Sequence, residues 1–185
     1  MNFEKLDIPD VILFKPEISS DSRGYFFESF NMKKFSEIVG KEVTFVQDNH
    51  SFSKKGVLRG IHFQKNPYAQ GKLVRVVSGK VFDVAIDLRK KSQTYGSWVG
   101  AYLSSTNNHQ LWIPEGFGHA FLTLSDNTNF LYKTTNLYNQ SSEESIIWND
   151  KDLKIDWPIN NLNNILVSDK DAYAKSFKNN TESHF

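Results

Sequence analysis

Two of the five histidines sit where a side chain could do acid–base work. His62 lies in Gly56-Val-Leu-Arg-Gly-Ile-His-Phe-Gln64, where arginine, histidine and glutamine gather around a glycine. His119 follows the glycine-rich turn Glu115-Gly-Phe-Gly118 and shares a strand with Phe121 and Thr123. Imidazole changes charge near neutral pH, which suits it to take and return protons. In a regular strand Arg59 and His62 point to opposite faces, so a shared pocket demands a bulge or bend, which Gly60 makes cheap. Taken singly, each histidine reads more readily as a core or surface residue with no chemical task.

Other chemistries find little support. A zinc, iron or manganese site wants three or four ligands in fixed geometry. The chain has no His-x-His or His-x-x-x-His pair, and the neighbour at position 64 is glutamine, a poor ligand. No Gly-x-Ser-x-Gly elbow, phosphate-binding glycine loop or dinucleotide fingerprint is present, which leaves serine hydrolysis and nicotinamide redox chemistry without a basis. The total lack of cysteine removes thiol nucleophiles, thiolate metal sites and disulfides together. What remains is proton transfer by side chains: a histidine base, an orienting carboxylate, a cation for developing oxyanion charge and a phenolic acid. Composition alone does not assemble these four.

With 185 residues and 39% hydrophobic content, the chain is long enough for one substantial core, and one domain is the default. Twenty-two Lys and Arg against 21 Asp and Glu leave a formal charge of +1, so no broad field gathers nucleic acid or an acidic membrane. No segment is apolar for long enough to span a bilayer, and Met1-Asn2-Phe3-Glu4-Lys5 lacks the features of a signal peptide. A cytoplasmic protein is the expectation.

The elements that must position the histidines are mostly strands. Lys72–Val77 and Lys80–Leu88 flank Ser78-Gly79 and predict a hairpin, and a second such unit runs from Gln110–Pro114 through the turn at 115–118 to His119–Leu124. An aromatic strand, 129–135, follows Ser125-Asp-Asn127. Short strands with polar turns predict an all-β antiparallel barrel or sandwich with few peripheral helices. One helix spans 31–39, with Asn31 as its cap and Gly40 as its stop, and a weaker one spans 169–177. The expected organisation is one domain over 1–177 and a frayed polar tail over 178–185.

Seven ordered motifs go further. They are Asp21-Ser-Arg-Gly-Tyr-Phe-Phe-Glu-Ser-Phe30, Val46-Gln-Asp-Asn-His-Ser51, the His62 segment, Gln70-Gly-Lys-Leu-Val-Arg75, Phe82-Asp-Val-Ala-Ile-Asp-Leu-Arg89, Trp112-Ile-Pro-Glu-Gly-Phe-Gly-His119 and Ser168-Asp-Lys-Asp171. Over almost its whole length the chain resembles the dTDP-4-dehydrorhamnose 3,5-epimerases. The resemblance implies a cupin-like jelly roll, a homodimer with strand exchange at the active site, a nucleotide-sugar substrate, and no metal or organic cofactor. By the same resemblance His62 is the base, Asp171 its partner with Asp169 as the competing carboxylate, Tyr132 the acid and Tyr138 a second phenol for stacking or binding. Lys72 and Arg59 supply positive charge near the ketone and diphosphate, and His119 contacts the phosphate region. Arg23, Phe26 and Glu28 hold the nucleobase from the partner subunit, and Gln47 and Asn49 complete a polar wall. Enzymes that epimerise one carbon only or isomerise the ketone, and a non-catalytic sugar-nucleotide binder, are the rival readings. Where the family shows Gly-Phe-Ala-His-Gly-Phe this chain has Gly116-Phe-Gly-His-Ala-Phe121, which predicts a local backbone adjustment around His119.

Overall fold

The computed structural model describes residues 2–160, 162 and 164–180. Strands β1 (Asn2–Lys5), β2 (Ile12–Lys15), β5 (Gln47–Ser53), β7 (Lys72–Ser78), β10 (Gln110–Ile113) and β12 (Thr128–Thr134) form one sheet in the order β1-β2-β10-β7-β12-β5. A second sheet runs β13-β6-β11-β8-β9 and comprises β6 (Leu58–Gln64), β8 (Lys80–Asp87), β9 (Trp98–Ser104), β11 (Phe117–Thr123) and β13 (Glu143–Ser145). A short ribbon of β3 (Ser19–Asp21) and β4 (Gly24–Phe26) pairs only with itself among the described residues. Every ladder between these strands is antiparallel.

Both predicted hairpins are corrected. β7 pairs with β10 and β12 while β8 pairs with β11 and β9, so Ser78-Gly79 carries the chain from one sheet to the other. The turn at 115–118 does the same between β10 and β11. The inside–outside alternation of side chains reads alike through a hairpin and through such a corner, so sequence does not separate them. Gly79 is required by space as well as by its φ of +85°: a Cβ there would stand 2.4 Å from Thr128 Oγ1. From β5 onward only β8 and β9 are consecutive strands that pair, the wiring of a jelly roll.

Three apolar layers follow from the alternation. Val74, Val76, Leu111 and Phe130 of the first sheet meet Val81, Ala85, Phe117 and Phe121 of the second between the sheets. On the outer face of the second sheet Leu58, Ile61, Phe63, Val84 and Leu122 are covered by Ile146, Leu153 and Trp157. On the outer face of the first, Ile12, Phe14, Leu73 and Trp112 pack against Phe35 of α1 (Met32–Val39). That helix is capped as expected, with Asn31 Oδ1 accepting from the Lys34 amide and Gly40 in the left-handed region at φ 79°. The second helix is shorter than expected, Asp169–Ala172 (α2). After Tyr173 the chain extends instead, and Lys175 bridges Ile146 beside the second sheet. Lys178 pairs with Asp152 at 2.8 Å and Asn180 reaches the Ser145 carbonyl at 3.4 Å, so the expected tail begins in contact with the body. Residues 181–185, and His184 with them, lie outside the described residues. Among the described residues no helix is long and apolar enough to cross a membrane.

Candidate active site

Gly60 makes the site possible. In the β6–β11 ladder His62 faces His119 and Arg59 faces Phe121, so Gly60 and Ile61 together oppose Ala120 alone. This bulge restarts the alternation: Leu58, Ile61 and Phe63 turn outward into apolar packing, and both Arg59 and His62 turn inward. Arg59 Nε duly donates to Ser53 Oγ of the facing sheet at 3.3 Å. Gly60 sits at φ +123°, and a Cβ on it would lie 2.5 Å from the Ala120 Cβ and 2.6 Å from the His119 carbonyl oxygen. Around His119, β11 itself stays in unbroken register with β8 from Phe117 to Thr123.

On this wall His62 Nε2 meets Asp171 Oδ1 at 2.5 Å, and the Gly60 amide donates to Asp171 Oδ2 at 3.3 Å. Asp171 is buried, and Ser168 Oγ caps its amide at 3.2 Å, fixing the carboxylate through the first turn of α2. Burial pushes the Asp171 carboxyl up, but the bond and charge of His62, the Gly60 amide and Ser168 outweigh it and hold the group below the ordinary carboxylate range. Asp169, the competitor, is exposed and makes no described contact with His62.

The other candidates enter from the strands around this pair. Tyr132 faces the interior from β12, and burial raises its phenol, with Glu143 adding to the shift and Arg59 opposing it. Lys72 is buried on β7, and no hydrogen bond or ion pair among the described residues claims its ammonium. Desolvation lowers it to about 8, against the pull of Asp83 and Glu143. Gln47 donates to Asn49 Oδ1 at 2.9 Å and accepts the Tyr138 amide at 3.0 Å on β5. His119 is buried with Nε2 at 3.0 and 3.2 Å from the two Asp83 oxygens, and burial lowers it.

Arg23, Phe26 and Glu28 are not brought to His62 within one chain. Arg23 is held by Asp21 at 2.6 Å, Phe26 is 76% exposed on the ribbon, and Glu28 binds Lys34 at 2.9 Å and Asn31 at 3.2 Å beside α1. A groove of about 410 Å³ is lined by Phe30, Leu73, Arg75 and Lys133 on the outer face of the first sheet together with Asn49 and Tyr132, and His62 is not among its lining residues.

Sequence reasoning missed two residues. Asp83, fully buried under His119, was visible only as a carboxylate inside an apolar strand. Glu143 accepts from the Tyr138 hydroxyl at 3.0 Å, pairs with Lys170 at 2.5 Å, and reaches His62, Lys72 and Tyr132 electrostatically. It lies in a polar stretch that reads as a loop.

A carboxylate-backed imidazole on one sheet and a phenol on the other are equipped to lift a proton from carbon and return one from across the cavity. That places the chain among acid–base isomerases on a cupin-like scaffold. The family model described as dTDP-4-dehydrorhamnose 3,5-epimerase matches residues 5–179, and the chain belongs to this family. It is 57% identical to the dTDP-4-dehydrorhamnose 3,5-epimerase of Shigella flexneri over 96% of both chains. A crystal structure of the Legionella pneumophila dTDP-6-deoxy-D-glucose-3,5-epimerase in complex with dTDP-4-keto-L-rhamnose superposes with a TM-score of 0.90, at 47% identity, covering 95% of this chain and 92% of that one. A 3'-monoepimerase of Streptomyces bikiniensis, in complex with dTDP-quinovose, is also similar, with a TM-score of 0.87 and 33% identity over 94% of this chain and 86% of that one.

Proposed function

We propose that the chain inverts C3 and C5 of dTDP-4-dehydro-6-deoxy-D-glucose to give dTDP-4-dehydro-L-rhamnose. The observation that carries this is the His62–Asp171 pair facing Tyr132 from the opposite sheet. A proton beside a ketone is acidic because the carbanion delocalises onto the ketone oxygen, so an enolate forms without redox change and without a metal or organic cofactor. Asp171 holds Nε2 of His62, which leaves Nδ1 to take the proton. Lys72, charged below about pH 8 and otherwise unclaimed, stabilises the enolate oxygen in a partly desolvated pocket. Tyr132 protonates the far face. Arg59 and His119 serve the diphosphate end, and Gln47, Asn49 and Tyr138 the remaining wall. The cytoplasm, which a cysteine-free chain suits, is the compartment of this reading.

Incubation with dTDP-4-keto-6-deoxyglucose in D₂O tests the reaction by NMR. Label at both C3 and C5 is expected; label at one carbon would indicate the narrower epimerases, and label at neither a binding protein.

The reading also takes the chain as a homodimer. The ribbon of β3 and β4 pairs with nothing else, displays Tyr25 and Phe26, and lies on the same chain as an open edge strand, β5, with Phe52 56% exposed. Arg23, Phe26 and Glu28 then reach the neighbour's site. Mixing inactive Arg23→Ala and His62→Asn proteins should restore activity, because each hybrid dimer gains one intact site. A mixture that stays inactive after verified subunit exchange would place Arg23 in its own chain's site.

A further inference from the structure

Asp83 has no part in the proton transfers, yet it is the most deeply buried charge in the cavity, with no exposed surface. Its oxygens accept only from His119 Nε2 among the described residues. It projects inward from β8, in the same interior as Lys72 on the opposite sheet. Lys72 is a largely buried ammonium with no hydrogen-bond acceptor among the described residues. A buried cation of this kind discharges unless an opposite charge stands near it. Two carboxylates are within electrostatic reach, Asp83 and Glu143, and Glu143 is already engaged by Lys170 and Tyr138.

We propose that Asp83 is a positioning residue that keeps Lys72 charged for the enolate, with His119 holding the carboxylate in place by its Nε2–H. The proposal deepens the epimerase reading and rests on it for the use to which the charge is put. The groups facing this corner are Lys72 from β7, His119 from β11, His62 from β6 and Glu143 from β13, with Tyr132 and Arg59 beyond them. Of the two carboxylates that act on Lys72, Glu143 is paired with Lys170, whereas Asp83 has no lysine ion pair among the described residues. His119, neutral because burial disfavours its cation, orients Asp83 without cancelling its charge. Burial pushes the Asp83 carboxyl above the ordinary carboxylate range, and His119 and Lys72 oppose that shift, so in the proposal each of the two buried charges offsets part of the other's desolvation.

The test follows Lys72 directly. Protein labelled with lysine carrying ¹³C at Cε, its Lys72 signal assigned by loss in Lys72→Arg, is titrated by NMR with Asp83 and with Asp83→Asn. Asparagine keeps the shape and an acceptor for His119 but not the charge. The wild-type midpoint should fall near about 8, and Asp83→Asn should move it down by about one unit or more. An unmoved midpoint in the folded variant overturns the proposal, whatever the enzyme's activity. Asp83→Ser, smaller and equally uncharged, gives the same readout should the asparagine variant not fold. Wild-type protein that fails to exchange substrate protons overturns the epimerase reading instead, and leaves the titration to decide whether Asp83 governs Lys72. Where exchange does occur, the alkaline limb of its pH profile should shift acidward with the NMR midpoint in Asp83→Asn.

Discussion

His62→Asn should abolish proton exchange, with a loss of at least about 10²- to 10⁴-fold, the usual contribution of a positioned base, while nucleotide binding stays nearly intact. Asparagine fills the near half of the imidazole's space, so the wall keeps its shape although the bond that Nε2 makes to Asp171 is lost. It has no basic nitrogen at neutral pH, so C3 and C5 keep their protons. Binding survives because the groups assigned to the nucleotide take their described contacts elsewhere: Arg59 from Ser53 and His119 from Asp83 at the diphosphate end, Arg23 from Asp21 and Glu28 from Lys34 and Asn31 at the base. Exchange rates measured by NMR in D₂O and nucleotide affinity measured by calorimetry separate the two effects. A variant exchanging at the wild-type rate would remove His62 from its role.

Gly60→Ala is expected to be as damaging by a different route. The new methyl would stand 2.5 Å from the Ala120 Cβ and 2.6–2.7 Å from the β11 backbone, and its φ of +123° is one that an L residue rarely adopts. Neither clash is with the flexible end of a side chain, so β6 must separate from β11 or lose its bulge. If the bulge is lost, the alternation slips and His62 turns toward the outer apolar layer, away from Tyr132. If the strands separate, the two-sheet core opens. Either outcome costs on the order of 4 kcal/mol or more, and thermal unfolding should show a fall in midpoint together with loss of exchange. A variant as stable and active as wild type would mean that the glycine does not shape the site.

The bend at Gly60 was legible in advance because Arg59 and His62, three apart on a strand, cannot share a face without it. Strand positions and the capped helix at 31–39 were legible for similar local reasons: alternation, an Asn cap and a glycine stop. Pairing was not. Ser78-Gly79 has the residues of a hairpin turn, and only the partners of β7 and β8, fixed by contacts with distant β10 and β11, show that the chain changes sheets there. The same limit hid Asp83. It and Asp87 sit on one inward face of β8 and look equivalent in sequence, yet Asp87 is consumed by Arg89, Ser92 and Thr94 in tying down a loop, while Asp83 lies under His119. Which aspartate serves the cavity depends on the neighbours that the fold supplies. For Arg23, Phe26 and Glu28 the sequence motif implies a place in a site, but one chain alone leaves them on its surface.

The most direct test of two-sided proton transfer is Tyr132→Phe in D₂O, read by NMR for label and for configuration at the same carbon. With the phenol gone and His62 intact, the base can still remove a proton and return deuterium to the face it came from. Exchange without inversion is therefore the predicted result. Inversion at the wild-type rate would contradict the account, because the far-face proton would then come from a group other than Tyr132.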